Sequence, residues 1–195
     1  SSCYVFKIGI IMSWNFSSTN IRTNPKAIYA PLYNQIPATD IRKTLWEPNP
    51  TAANFPLPHS GVRRPYMTRK FTAAGSADSR GDIPYMRAAE MYLIEAEAIA
   101  RQGGRDAEAA EVLRQMVVTR DPAYTLSSNT GQALIDEIMF QRRIELWGEG
   151  FRFLDLKRTN SPLARDLSGS NHQVALATLM EPAGTDKWQF LIPID

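Results

Sequence analysis

Proline is spread unevenly along this 195-residue chain, and that unevenness limits its fold more than any other feature. Pro25, Pro31, Pro37, Pro48, Pro50, Pro56, Pro58 and Pro65 all fall between Ser13 and Arg80, a stretch also rich in asparagine. Each proline fixes its own φ and removes an amide donor, so no long helix can run through this part. Loops and short strands are expected over residues 1–80, with one short helical turn around Lys26–Tyr33. The segment from Ala74 to Gly81 reads as a flexible connection. The pairs Arg63-Arg64 and Arg69-Lys70 read as a short solvated cluster.

Beyond Gly81 the period changes. Asp82 suits an N-cap, with Pro84 in the first turn where its missing amide costs little. Met86, Ala89, Leu93, Ala96 and Ala100 recur at helical spacing. Gly103-Gly104 is a fitting stop, and a second helix is predicted from Asp106 to Val118, with Ala107, Ala110, Leu113 and Val117 inward. Small residues (Ala96, Ala98, Ala107, Ala110) would let the two helices approach closely, as in a tetratricopeptide-like hairpin. One hairpin cannot bury its own faces, so it must stack on a neighbour. A third helix is predicted from Thr130 to Trp147 and a short one from Phe151 to Arg158, separated by Gly148-Glu149-Gly150. Thr159 to Lys187 is polar and irregular, and Trp188–Pro193 alternates like a terminal strand. The fold class is therefore mainly α: helical hairpins with a loop-rich front part and a few short strands. Residues 1–195 are read as one domain, divided into 1–80, a helical scaffold at 81–158, and 159–195.

Composition excludes several classes. With 22 basic and 20 acidic residues the net charge is +2, which gives no electrostatic footprint for nucleic acid. The apolar run Tyr4–Met12 is far shorter than the roughly 20 residues a membrane helix needs. It has neither the basic flank nor the cleavage site of a signal peptide, so a buried strand is expected. The lone Cys3 can form no internal disulfide. His59 and His172, the two histidines, have no second ligand at metal spacing, and neither metal nor cofactor is expected. Gly103-Gly104 lacks the Lys-Ser/Thr of a phosphate loop, and Gly169-Ser170-Asn171-His172 lacks the second glycine of a nucleophile elbow. Both ends read as cut, and a piece of a longer protein is expected.

Three stretches together carry a resemblance. They are Arg87-Ala88-Ala89-Glu90-Met91-Tyr92-Leu93-Ile94-Glu95-Ala96-Glu97-Ala98, then Gln141-Arg142-Arg143-Ile144-Glu145-Leu146-Trp147-Gly148-Glu149-Gly150-Phe151-Arg152-Phe153-Leu154-Asp155-Leu156-Lys157-Arg158, and Phe190-Leu191-Ile192-Pro193-Ile194, with the weaker Asp40-Ile41-Arg42-Lys43 upstream. In order and spacing the chain resembles the C-terminal region of the SusD/RagB family. The resemblance implies a lipid-anchored protein of the outer membrane and cell surface of Bacteroidetes. It implies a tetratricopeptide-like scaffold that sits on a SusC-type TonB-dependent transporter. Such a protein captures oligosaccharides, or in one branch peptides, without cleaving them. The family's lipid-bearing cysteine and much of its ligand site belong to an N-terminal half outside this chain, and Cys3 is not assigned a lipid.

Candidate residues follow. Arg142, Glu145, Glu149, Arg152 and Asp155 form a dense set of charges. Glu145 and Glu149 could be a glycosidase acid–base pair, but that chemistry needs facing carboxyls with one pKa raised, and neighbouring arginines lower carboxyl pKa values. A structural ion-pair network is the better reading. Glu90 and Glu97 are expected to pair with basic groups of a neighbouring helix. Aromatic rings suit the C–H faces of sugars, so Trp14, Asn15, Tyr29, Tyr33 and Trp46, on the loop-rich front, are the candidate ligand residues, Trp14 foremost. Trp147 and Trp188 are read as core. The competing readings are a purely protein-binding scaffold, or peptide capture without sugar binding.

Overall fold

A computed structural model describes residues 26–53, 63–70, 86–165, 169–172 and 180–189. Cys3, the Tyr4–Met12 run, Trp14, Asn15, His59, Asp82, Pro84 and Phe190–Ile194 lie outside the described residues. Within them the order is α1 (Ala30–Gln35), a 3₁₀ turn (Ile41–Leu45), β1 (Trp46–Glu47), β2 (Met67–Thr68), α2 (Ala88–Gln102), α3 (Asp106–Val117), α4 (Gly131–Glu145), α5 (Phe151–Arg158), β3 (Leu163–Ala164), β4 (Met180–Glu181) and a final 3₁₀ turn (Asp186–Trp188). β1 pairs antiparallel with β2, and β3 with β4, each by two residues.

The helical half is a hairpin with a third helix packed against it. α2 ends at Gly103, whose φ of 74° and ψ of 153° are open only to glycine at low cost. Gly104 follows at φ 72°, and the chain turns straight into α3. Leu93, Ala96 and Ala100 of α2 meet Ala109, Ala110, Leu113 and Val117 of α3, and Leu134, Ile135 and Ile138 of α4 close the cluster. Alanines at the α2–α3 seam let the backbones come close, and the larger Leu and Ile side chains fill the space under α4. A second cluster joins the front part to the end of α4: Ile28, Leu32, Ile36 and Trp46 pack on Ile144. Asn171 stitches a distant segment to it, accepting from the Ala30 amide at 2.9 Å and donating to the Ile28 carbonyl at 2.8 Å.

The elements differ from the sequence expectation in several places. The N-cap of α2 is Arg87, in extended conformation, and Met86 lies before the helix and is exposed. Ala98 and Ala107 face solvent, so the close seam is made by Ala96, Ala100, Ala109 and Ala110. The front helix is Ala30–Gln35, shifted so that Pro31 lies in its first turn, where proline is tolerated. Trp188 is buried as expected but closes a 3₁₀ turn, its indole N–H donating to the Pro182 carbonyl at 2.6 Å. The Arg69-Lys70 pair is not a solvated cluster: Lys70 is largely buried, and Arg69 pairs with Glu47 at 3.5 Å.

Candidate functional site

The core stripe of α4 is apolar at its start and charged at its end. Leu134 and Ile138 are succeeded on the same side by Gln141, Arg142 and Glu145, all buried. Buried charge is tolerable only when paired and hydrogen-bonded. Glu145, 3% exposed, faces three guanidiniums: Arg42 Nη1 at 3.3 Å, Arg120 Nη2 at 3.1 Å, and Arg87 Nη2. Arg42 is itself held by Asp40, which accepts from Arg42 Nη2 at 2.6 Å and from the Arg42 backbone amide at 2.9 Å. Lys70 donates to the carbonyls of Glu145 and Trp147 and to Glu149, satisfying the orphan carbonyls at the end of α4. Burial alone would raise the Glu145 pKa, but the hydrogen bond from Arg120 and the charges of Arg120, Arg87 and Arg42 outweigh it and hold this carboxyl below its usual range.

A second network lies on the α5 side. Arg142 donates to Asp155 at 3.0 Å, Arg158 donates to Asp155 at 2.9 Å, and both its terminal nitrogens reach Glu97 at 2.7 Å. Glu97 therefore pairs across to α5 as well as with Arg101 of its own helix, and Glu90 lies 3.9 Å from Arg142. Arg142 and Glu145 share a face of α4, as their spacing predicts, but each turns to different partners. Arg152 is the exception to the expected network: it makes no ion pair among the described residues and lines a cleft instead. Glu145 and Glu149 do not face each other across a sugar-sized gap. They share Arg87, and the depressed pKa of Glu145 is the reverse of what a general acid requires.

The candidate ligand rings separate into two groups. Trp46 is 2% exposed and meets Trp147 edge-to-face at 5.5 Å, so it offers no ring face to a ligand and is core. Its indole N–H is buried with no hydrogen-bond partner among the described residues. Tyr29 and Tyr33 are half-buried and remain near the surface. Tyr29 stacks on His172 at 5.4 Å, with the Arg143 guanidinium 5.9 Å from its ring. Tyr33 meets Tyr66 edge-to-face at 5.2 Å, with Lys43 Nζ 5.0 Å from its ring centre. Sequence reasoning missed Tyr66, His172, Lys43 and Arg143 as neighbours of these rings because they come from four separate segments. Gln35 at the end of α1 and Arg143 on α4, far apart in sequence, both line an open cleft of about 430 Å³ with Gln132, Asp136, Phe140 and Arg152. The candidate rings thus sit beside a polar cleft, joined to it by Arg143. Among the described residues no helix is long and apolar enough to cross a membrane, and no cluster of His, Cys, Asp and Glu could hold a metal ion.

Comparison with known proteins places this geometry. A SusD-like carbohydrate binding protein from Bacteroides vulgatus superposes with a TM-score of 0.57 at 29% identity, over 79% of this chain and 33% of that one. A SusD homolog from Bacteroides thetaiotaomicron gives 0.50 at 31% identity, over 66% and 28%. A SusD superfamily protein from Bacteroides fragilis, at 24% identity and a TM-score of 0.61, supports the fold alone. A curated SusD-like protein of Formosa agariphila is 37% identical over 87 residues, which are 40% of this chain and 17% of that protein. The chain therefore spans at most about a third of the length of these relatives. The model of the SusD family matches residues 15–188. On that match, with which the helical fold agrees, the chain belongs to the SusD family.

Proposed function

We propose that the protein captures a complex nutrient, an oligosaccharide, at the surface of a bacterium and delivers it to a SusC-type TonB-dependent transporter without cleaving it. Family membership over residues 15–188 carries this reading. The carbohydrate-binding description of the Bacteroides vulgatus relative agrees with it. Half-buried Tyr29 and Tyr33, on a front part braced by the buried junction, suit stacking on sugar C–H faces. The polar groups of the adjoining cleft suit hydroxyl recognition. Trp14 and Asn15, which come before both tyrosines in the sequence, are proposed as further ligand contacts. The lipid anchor and outer-membrane location are proposed for the parent protein.

The test is a screen of plant, host and microbial oligosaccharides by calorimetry, repeated with Tyr29→Ala, Tyr33→Ala and Trp14→Ala. Loss of at least about tenfold in affinity in one of these variants, with the fold intact by circular dichroism, is expected for a stacking ring. Unchanged affinity in all three would remove the aromatic account. A second reading, a protein-binding scaffold, draws on Met91, Tyr92 and Ile94, exposed together on α2. It predicts no sugar binding at all and binding to the transporter alone.

A further inference from the structure

Arginines in the helical part are almost all neutralised. The seven others between Arg87 and Arg158 each have a carboxylate partner. Arg143 and Arg152 are the two that have none among the described residues, and both line the same 430 Å³ cleft. Arg101 joins them there, already paired with Glu97. The carboxylate among the cleft's described lining residues is Asp136, which accepts from Gln132 Nε2 at 2.8 Å and forms no ion pair with another described residue. With Arg101 neutralised by Glu97, Arg143 and Arg152 face the single carboxylate of Asp136, and although the more distant charge of Asp155 also favours Arg152, the cleft keeps a net positive charge.

That charge is held at a cost. Arg143 is half-buried, and its desolvation, with the like charges of Arg152 and Arg165, pushes its pKa down to about 10. Among the described residues its favourable neighbour is the Tyr29 ring, 5.9 Å away. Two like charges facing one partly desolvated space are relieved by an anion between them. A guanidinium fork matches a planar carboxylate with two parallel hydrogen bonds. The rest of the cleft is not that of a bare anion site: Phe140 supplies a ring, and Gln35, Gln132 and Ser161 supply amide and hydroxyl groups suited to sugar hydroxyls.

We propose that this cleft binds a uronic acid unit of an acidic oligosaccharide, with Arg143 and Arg152 holding its carboxylate. The inference rests on the capture reading and narrows its substrate class. It also gives Tyr29 a place in the site, since Arg143 links that ring to the cleft.

The test is calorimetric titration of the intact protein with galacturonate, mannuronate and glucuronate oligomers, each beside its methyl ester, which keeps the hydroxyls and loses the charge. A panel of neutral oligosaccharides and a sulfated one complete the set. At least one uronate oligomer is expected to bind about tenfold or more tighter than its ester, and to weaken as salt rises. Arg152→Gln, at an exposed position that leaves the fold intact, should remove most of that advantage. Arg143→Gln should do the same, and Arg105→Gln, which deletes an equal charge away from the cleft, should not. Esters or neutral sugars binding as well as the acids would overturn the inference while leaving the capture reading standing. So would acid binding that Arg152→Gln leaves unchanged, or a preference for sulfated sugar alone. No binding by any glycan, charged or neutral, would remove both.

Discussion

Glu145 keeps its charge inside the fold because Arg42, Arg87 and Arg120 all face it, and removing that charge leaves three guanidiniums without their common counter-ion. Breaking such a buried cluster from one side costs about 3–5 kcal/mol, since it strands buried charge. Glu145→Gln should lose stability on that scale in urea unfolding. The same residue sets a pH dependence. Its folded pKa lies below that of the unfolded chain, near 4.3, so its contribution is fully present above that value and vanishes as pH falls through the folded one. The acid limb of the stability curve should flatten in Glu145→Gln. The pKa of His172, stacked on Tyr29, is also lowered, but because its charged form is disfavoured, first by burial and then by the charge of Arg165. It should titrate below 6.5 in a proton-NMR series, and a value above 6.5 would contradict the packing described. At this scale the sequence showed which charges cluster within one stretch. It could not show that Glu145 meets Arg42, 103 residues away, or Lys70, 75 residues away, because no local period encodes those meetings.

At the level of elements, periodicity read the helices well and their small-residue seam less well. α3, α4 and α5 lie within a residue or two of their predicted bounds, since a 3.6-residue apolar stripe and glycine stops are local signals. Which alanine lies in the seam is decided by the rotation of one helix against the other, and for alanine the pattern on both sides is nearly equal. Ala96→Leu should therefore destabilise by about 1–3 kcal/mol through overpacking, whereas exposed Ala107→Leu should stay within about 0.5 kcal/mol. Thermal or urea unfolding of the two variants separates them. Gly103→Ala tests the turn: a Cβ there meets nothing within 4 Å, so the expected loss of about 1–3 kcal/mol is backbone strain alone. The start of α2 was misread because Asp82 and Pro84 look like a helix start by composition. The chain instead keeps Arg87 extended, which sends its side chain to Glu145 and Glu149.

For the molecule as a whole, the resemblance in three separated stretches already implied the family, and the fold and the family match agree with it. The ligand site was the least legible part. Trp46 and Tyr29 are both rings in a proline-rich front, yet one is core and the other half-exposed beside a cleft. Only the packing of α1 and the 3₁₀ turn against α4 separates them. The two carboxylates that could have suggested glycoside cleavage are bound into the junction that braces this surface.

Capture without chemistry is the central claim. It is tested most directly by incubating the protein with its tightest-binding oligosaccharide for many turnover-equivalents of time, then measuring both affinity and chain length of the recovered sugar. The account predicts saturable binding with the sugar recovered intact. Shortened products formed by the purified protein would contradict it.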